Sequence, residues 1–250
     1  MIYEEPFASS ALWARRLGFF AVPVLLVAWL VQRTGGVGLV PMAAVAAAVV
    51  ILAVLAVLLA LMAFASIWIK GRRGAWSATA GLFAGLLVLA GPAALAVASW
   101  NLPLLTDIST DTRDPPRPVH LLSERSPDDN AAAYPGAAAA RLQAEAYPDI
   151  APVRLPVSVD EAQALVMELV HARRWRVVDD GGEGGPQRRI EATTFMPLLH
   201  LPEDVIIRIR SDDGGARVDM RSLSRIGQFD FGSNARRVRK FMTDLNTTAR

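Results

Sequence analysis

Three aspartates near the middle of the chain are the residues whose type and spacing best suit cation binding. Asp107, Asp111 and Asp114 lie within one short segment rich in Pro, Ser and Thr. Carboxylate oxygens are calcium ligands, but this segment lacks the alternation and the terminal Glu of an EF-hand loop. Because its residues readily form turns, the sequence favours turn-forming hydrogen bonds, and we expect no metal site.

Arginines near the end of the chain offer a second kind of chemistry, the binding of anions. Residues 205–250 carry net charge +5, whereas residues 101–150 carry net charge −4. The favoured interpretation is a structural clamp, in which the acidic segment lies across the domain against arginines; its residues are Asp107, Asp111, Asp114, Arg221, Arg225 and Asn234. The rival interpretation is a surface facing an anionic lipid headgroup or an acidic partner, formed by Arg208, Arg210, Arg236, Arg237 and Arg239.

Residue patterns typical of enzymes are missing from the sequence. The chain has no Cys, its three histidines are far apart, and it contains no G-x-S-x-G nucleophile motif. The glycine-rich segment Asp179–Gly185 lacks the Lys-Ser/Thr pair of a phosphate-binding loop. Distant acidic residues can still meet in space, so a periplasmic hydrolase stays open as an alternative. We expect no cofactor, assign no catalytic residue and favour a binding function.

The elements that position these residues form a small α+β domain. Residues 101–150 are predicted as an extended, loop-rich linker segment, and residues 151–250 as an antiparallel sheet of four or five strands with two helices on one face. A capping box at Ser158 and Glu161 opens the first of these helices, and Ser233 is the predicted N-cap of the second. In the strand Val205–Arg210, alternation gives one apolar face and one basic face.

The first 100 residues have the composition of a membrane domain. They hold six Lys or Arg and two acidic residues, and three apolar stretches cover residues 13–31, 39–69 and 75–100. A helix over the second stretch would be roughly 45 Å long, enough to cross a hydrocarbon core of about 30 Å. No charged side chain lies in the middle of a span, which argues against a stand-alone transporter or channel. The fold class is therefore a membrane-anchored α+β protein with three transmembrane helices.

The distribution of Lys and Arg predicts the orientation of these spans. Three spans place Arg15, Arg16 and the Lys70–Arg73 loop on one side, with Arg33 alone on the other. The positive-inside rule then puts the N-terminus in the cytoplasm and everything after Trp100 outside it. In a bacterium with two membranes, this is the inner membrane with a periplasmic C-terminal domain.

Several short motifs in the second half of the chain resemble the uncharacterised bacterial family called domain of unknown function 1499. They occur in the family's order, at Asp107–Thr112, Asp114–Pro116, Tyr147–Asp149, Ile190–Ala192, Asp204–Arg208, Arg217–Arg225 and Phe229–Arg237. The chain departs from the family at Phe195–Leu201, where the family has an aromatic-rich Trp-Phe-Gly-Phe type of sequence. The resemblance implies the domain type and association with a bacterial envelope, and it brings no activity or catalytic residues.

The sequence thus predicts an integral inner-membrane protein whose periplasmic domain is a binding or assembly module. Its partners are the lipid bilayer and, as open alternatives, an anionic lipid, a membrane-protein partner or a second copy of the chain. The soluble half has net charge −2, which argues against a nucleic-acid partner. Gly81 and Gly85 form a G-x-x-x-G motif, for which close packing within the chain is favoured over dimerisation. An accessory subunit of a larger membrane complex is the main alternative function.

Overall fold

The computed structural model describes residues 6–34, 38–182, 187–197 and 199–249. The chain forms two compact units, Met1–Trp100 and Asn101–Arg250. The predicted glycine loop after Asp179 lies partly outside the described residues.

The first unit consists of three helices that are long and apolar enough to cross a membrane. They are α1 (Ser9–Arg33), α2 (Leu39–Lys70) and α3 (Ala75–Ser99). Helix α1 begins before the apolar stretch, so that Trp13 and the Arg15–Arg16 pair lie within its first turns. The two inner prolines, Pro23 and Pro92, stand within helices α1 and α3.

Small residues line the contacts between these three helices. Buried alanines occur on all three helices, and Gly81 and Gly85 are buried on α3. A Cβ atom at Gly81 would lie 2.6 Å from the backbone nitrogen of Arg15, and one at Gly85 would lie 2.9 Å from the carbonyl oxygen of Ala53. The G-x-x-x-G motif therefore serves close packing against α1 and α2 of the same chain. Ala44 and Ala48 on α2 are exposed and take no part in this contact.

The segment before α1 is hydrogen-bonded to the loop between α2 and α3. The N–H of Ala8 donates to the carbonyl of Arg73 at 2.9 Å, and the N–H of Arg73 donates to the carbonyl of Pro6 at 3.2 Å. The start of α1 and the basic Lys70–Arg73 loop consequently lie at the same end of the three-helix unit.

The second unit is an antiparallel sheet with helices, as the sequence predicts. Its strands are β1 (Asp107–Ser109), β2 (Val153–Leu155), β3 (Arg176–Asp179), β4 (Gln187–Phe195), β5 (Pro202–Asp212) and β6 (Gly215–Ser224). The strand order is β1-β6-β5-β4-β3, and β2 pairs with the other end of β6. The sheet thus has six strands, because the short β1, predicted only as an extended segment, pairs with Arg221–Leu223.

The helices of the second unit are α4 (Ala137–Ala146), α5 (Val159–Ala172) and α6 (Ser233–Thr248), with a 3-10 helix at His120–Glu124. Helices α5 and α6 cover one face of the sheet. Its core contains the inward residues of β5 (Val205, Ile207 and Ile209) and the stacked rings of Trp175 and Phe241, whose centroids are 5.4 Å apart. Residues 101–135 contribute β1 and the 3-10 helix, and Leu121 contacts Ile206 and Leu223 on the opposite face of the sheet.

Local signals for turns and caps give mixed results. The capping box at Ser158 and Glu161 is formed, and β5 and β6 are joined by a turn in which Asp213 and Gly214 have positive φ angles of 45° and 84°. This conformation is that of a type I′ hairpin turn. The predicted N-cap at Ser233 is wrong: Gly232 holds that position with φ of 72°, and Ser233 is the first helical residue.

The reason for the different N-cap lies in two acidic side chains. The carboxylate of Asp230 accepts hydrogen bonds from the N–H groups of Gly232 and Asn234, at 2.7 and 3.0 Å, and so caps the helix from outside. The hydroxyl of Ser233 donates to the carboxylate of Glu203 at 2.5 Å.

Candidate functional site

The face of the sheet opposite α5 and α6 carries a buried layer of charged residues. Alternation along β5 and β6 directs Asp204, Arg208, Asp219 and Arg221 to this face, and each of them is buried. Burying an unpaired charge is costly, so each needs a partner. Asp219 is paired with arginines of the strands, and the other three have partners in residues 107–135, which cross this face.

The Asp107–Arg221 ion pair lies at the centre of this layer. Arg221 donates from Nε and Nη2 to the two carboxylate oxygens of Asp107, at 2.9 and 2.6 Å. Its Nη1 donates to the carbonyl of Pro116 at 3.1 Å, and Nη2 also donates to the carbonyl of Ala132 at 2.9 Å. Burial raises the pKa of Asp107, while the bonds and charge of Arg221 act in the opposite direction. Arg221 thereby ties two loop segments to the sheet.

A second cluster surrounds the carboxylate of Asp204. Arg225 donates to it at 2.7 Å, and Arg125 donates to its other oxygen. Burial raises the pKa of Asp204, and the two arginines oppose that rise. Arg225 also bonds to Glu124, whose pKa is held below its usual value chiefly by a hydrogen bond from Arg176.

A third cluster joins the remaining aspartates to strand arginines. Its members are Asp111, Asp114, Asp219, Arg208, Arg210 and Arg217. Burial alone would raise the pKa of Asp111, but hydrogen bonds from the N–H groups of Asp114 and Arg113 and the charge of Arg217 outweigh it and hold the pKa below its usual value. In the part of the chain that is described, no group of three His, Asp or Glu residues is arranged to hold a metal ion.

Asn234 belongs to a different network, beneath the start of α6. Its amide donates to the carbonyl of Thr106 and to the hydroxyl of Ser224, and its oxygen accepts from Ser222 and Arg237. Arg237 is also paired with the buried carboxylate of Glu203. The structure therefore brings Asp107 to Arg221 and Asp204 to Arg225, while Asn234 bonds to other partners.

The five arginines proposed from the sequence as an anionic-partner surface do not share one free surface. Arg208 and Arg210 belong to the third cluster, Arg237 is paired with Glu203, and Arg239 is paired with Asp149. Arg236 is exposed, and in the described part of the chain its side chain has no ion pair. It lines a cavity of about 320 Å³ that also includes Lys240 and the exposed Phe195.

Sequence reasoning missed a large opening in this unit, which we call the arginine cavity. Its volume is about 1050 Å³, and it lies above Arg221, between the loop segments that Arg221 ties together. Arg113, Arg117 and Arg141 line it together with an apolar wall formed by Pro115, Pro118, Leu122, Ala132, Ala133, Ala137 and Ala140. Tyr134, Thr112 and Gly136 complete the lining.

Tyr134 sits over the guanidinium of Arg221, with the Arg221 Cζ atom 5.5 Å from the ring centroid. Its hydroxyl oxygen is buried and has no hydrogen-bond partner among the described residues. Burial and the charge of Asp107 raise the pKa of Tyr134 to about 12, so the phenol is neutral at physiological pH. The signal for this site in the sequence is weak: three of the four arginines in residues 112–141 stand among prolines and alanines.

A protein-family comparison matches the region that carries the charged layer and the arginine cavity. A model of the family described as protein of unknown function (DUF1499) matches residues 107–245. The chain belongs to this family. The DUF1499 match begins at β1 and ends at the last buried residue of α6, so it includes the loop segments that cover the charged layer and line the arginine cavity.

No match was found among curated proteins or among solved structures. The DUF1499 family description names no activity, so the function must be argued from the site itself. Phe195 is exposed, and its ring stacks on His200 with centroids 4.2 Å apart.

Proposed function

We propose that this protein is an integral inner-membrane protein of a bacterium whose periplasmic DUF1499 domain acts as a binding module of the cell envelope. Three helices suited to crossing a membrane supply the anchor. The arginine cavity is the observation that carries the binding function, since it is open and three of its arginines, Arg113, Arg117 and Arg141, have no ion-pair partner in the described part of the chain. Ligand sites are commonly concave openings with an apolar lining and a few polar groups.

The proposed orientation rests on the positions of basic residues. The hydrogen bonds between Pro6–Ala8 and Arg73 support placing the start of α1 and the Lys70–Arg73 loop on one side. That side then carries five of the six basic residues of the first unit, and only Arg33 lies at the other end. The positive-inside rule assigns the richer side to the cytoplasm.

A binding module accounts for the arrangement of charges better than a hydrolase does. The carboxylates of Asp107, Asp204 and Asp219 are all bonded to arginines, which keeps them from acting as a general acid or base. An accessory subunit gains no support from Gly81 and Gly85, because both contact helices of the same chain.

The orientation is tested by labelling single cysteines in the full chain, which has none of its own. Ala131 and Ala75 are both exposed and lie in the second unit and at the start of α3. In intact cells with a permeable outer membrane, an impermeant maleimide should label Ala131→Cys and leave Ala75→Cys unlabelled until the inner membrane is opened. The reverse labelling pattern would refute the periplasmic placement.

The binding function is tested by extracting the tagged chain in native lipid particles and identifying every lipid, metabolite and protein that accompanies it by mass spectrometry. We expect a bound small molecule that is depleted when Arg113, Arg117 and Arg141 are all replaced by Gln. A stoichiometric protein partner that is retained by this variant, with no small molecule bound, would instead identify an accessory subunit.

A further inference from the structure

We propose that the arginine cavity binds an amphiphilic organic anion, with a phosphate or carboxylate head held by Arg113, Arg117 and Arg141 and an apolar body against the Pro-Ala-Leu wall. This inference rests on the proposed function and names the ligand class of the same module. The shared chemistry fits both an anionic membrane lipid and a soluble amphiphile.

The distribution of unpaired arginines is the first observation behind this inference. Most arginines of the second unit have an ion-pair partner, including every one in the three buried clusters. In the described part of that unit, the arginines without one are Arg113, Arg117, Arg141, Arg174 and Arg236. Three of these five line a single cavity. Like charges brought together repel one another, and an anion placed among them removes that repulsion.

Among the residues that the structure describes, no acidic side chain lines the cavity to neutralise these arginines from within the fold. The carboxylate of Asp107 lies beneath and is held by two hydrogen bonds from Arg221. Tyr134 is a neutral phenol, so it adds no negative charge, and its buried hydroxyl has no hydrogen-bond partner among the described residues. The guanidinium groups are therefore the charges that an entering ligand meets. Planar guanidinium groups bind phosphate and carboxylate in bidentate geometry.

The size and the apolar wall of the cavity argue against a simple inorganic anion. The volume of about 1050 Å³ is at the upper end of the range of small-molecule sites, roughly 300–1,000 Å³. Leu122 keeps 50% of its surface exposed at this wall, where alanines and prolines provide further apolar contact. Burial of such surface by an apolar ligand would be favourable. The combination of a basic rim and an apolar wall fits a molecule that has an anionic group and an apolar body.

The cavity is held open by the fold itself. Arg221 is 1% exposed and bonds to the carbonyls of Pro116 and Ala132, which belong to two separate loop segments that contribute residues to the lining. Arg221 is a positioning residue, because its hydrogen-bonding groups are used by Asp107 and these carbonyls. A site fixed in this way loses little conformational entropy on binding.

The test uses the full chain in particles of zwitterionic lipid, titrated by calorimetry with hexyl phosphate, hexan-1-ol and inorganic phosphate, with empty particles as the blank. Hexyl phosphate should bind, and each of the other two should bind at least about ten-fold more weakly, since each lacks one half of the proposed recognition. Equal affinity for inorganic phosphate and hexyl phosphate would show that the apolar wall does not contribute to binding, which would overturn that part of the proposal. Equal affinity for hexan-1-ol and hexyl phosphate would show that the arginines do not bind an anionic group, which would overturn the other part.

Two variants with the same change in charge locate the site. The variant R113Q/R117Q/R141Q should bind hexyl phosphate at least about ten-fold more weakly, because three charge-assisted contacts are lost. The control R174Q/R236Q/K240Q removes three exposed basic groups outside the arginine cavity and should bind within about two-fold of the unaltered chain. If the control loses binding and the first variant keeps it, the ligand binds at α6 and the proposal is wrong. Hydrogen exchange of residues 101–249 checks that both variants are folded.

One further titration, with phosphatidylglycerol in the particles, separates a membrane lipid from a soluble amphiphile as the ligand. If the ligand is a membrane lipid, phosphatidylglycerol in the particles should weaken hexyl phosphate binding by competition; if it is a soluble amphiphile, phosphatidylglycerol should have no effect. Failure of the cysteine-labelling test would reject the periplasmic placement and leave these titrations unaffected. Absence of hexyl phosphate binding to a correctly oriented chain would reject the ligand class alone.

Discussion

Arg221 shows how one buried charge organises the domain. It occupies the middle of β6 and connects the sheet to Asp107, Pro116 and Ala132. Removing one member of a buried ion pair leaves the other charged group buried without compensation, which costs far more than the pair itself contributes. Arg221 should therefore be among the most sensitive positions in the second unit.

We predict that Arg221→Met destabilises the second unit by about 3–5 kcal/mol, since it leaves Asp107 unpaired. The measurement is amide hydrogen exchange of β1 and β6 in the full chain. The double variant Asp107→Leu/Arg221→Met should recover much of the loss, because it removes the isolated charge as well.

The matched control is Arg154→Met, which breaks the Arg154–Asp212 pair on the surface. The Arg154 side chain is 75% exposed, so solvent screens its pair with Asp212, and this change should destabilise the second unit far less than Arg221→Met does. Equal effects of Arg154→Met and Arg221→Met would contradict the role assigned to the buried pair.

Among the elements, the crossing of α1 and α3 depends most strongly on the absence of a side chain. Gly81 lies against the backbone of Ala14 and Arg15 on α1, and Gly18 of α1 lies against α3 in turn. In a bilayer, such close contact between backbones is a main source of helix association, since lipid supplies no hydrophobic driving force.

We predict that Gly81→Val forces α1 and α3 apart and costs at least about 1–3 kcal/mol, the usual penalty of overpacking. The measurement is the thermal stability of the full chain in mild detergent. Gly91→Val is the control on the same helix, because a Cβ atom there meets no atom within 4 Å. A loss of stability in Gly91→Val equal to that in Gly81→Val would refute this account of the crossing.

At the scale of the whole molecule, the carboxylates respond to pH in opposite directions. The pKa of Glu124 lies below its usual value of 4.5, so its contribution to stability is complete above that pH and is lost as the pH falls through the folded-state pKa. The pKa of Asp204 lies above its usual value of 3.8, so its protonation favours the folded state, and stability from this source is lost as the pH rises through the folded-state pKa.

We predict that Glu124→Gln lowers stability at neutral pH and that the difference from the unaltered chain disappears once the pH falls below the folded-state pKa of Glu124, where Glu124 is protonated in both states. Hydrogen exchange of residues 101–249 across pH, corrected for intrinsic exchange rates, measures this difference. Glu145→Gln removes an exposed carboxylate with no ion pair in the described structure and should leave stability unchanged at every pH. If the stability difference between Glu124→Gln and the unaltered chain persisted at acid pH, it would not come from titration of Glu124.

Features set by neighbouring residues were determined by the sequence. The three apolar helices follow from composition, and the alternation in β5, the hairpin turn at Asp213–Gly214 and the capping box at Ser158 follow from spacing over a few residues. The buried residues of α6 also recur at helical spacing, and helical periodicity is a local property. The family was also recognisable, because its motifs are short and ordered along the chain.

Features set by distant residues were decided by the tertiary structure. Asp107 lies 114 residues before Arg221, and Asp114 lies 94 residues before Arg208, so no local pattern assigns these arginines to ion pairs. The strand β1 exists because it pairs with the edge of β6, and Ser233 loses the N-cap role because Glu203 accepts its hydroxyl. The arginine cavity needs the walls around Pro116 and Ala132 to be brought together by Arg221. Such long-range juxtaposition depends on how the sheet and its covering segment fold, which spacing along the chain does not encode.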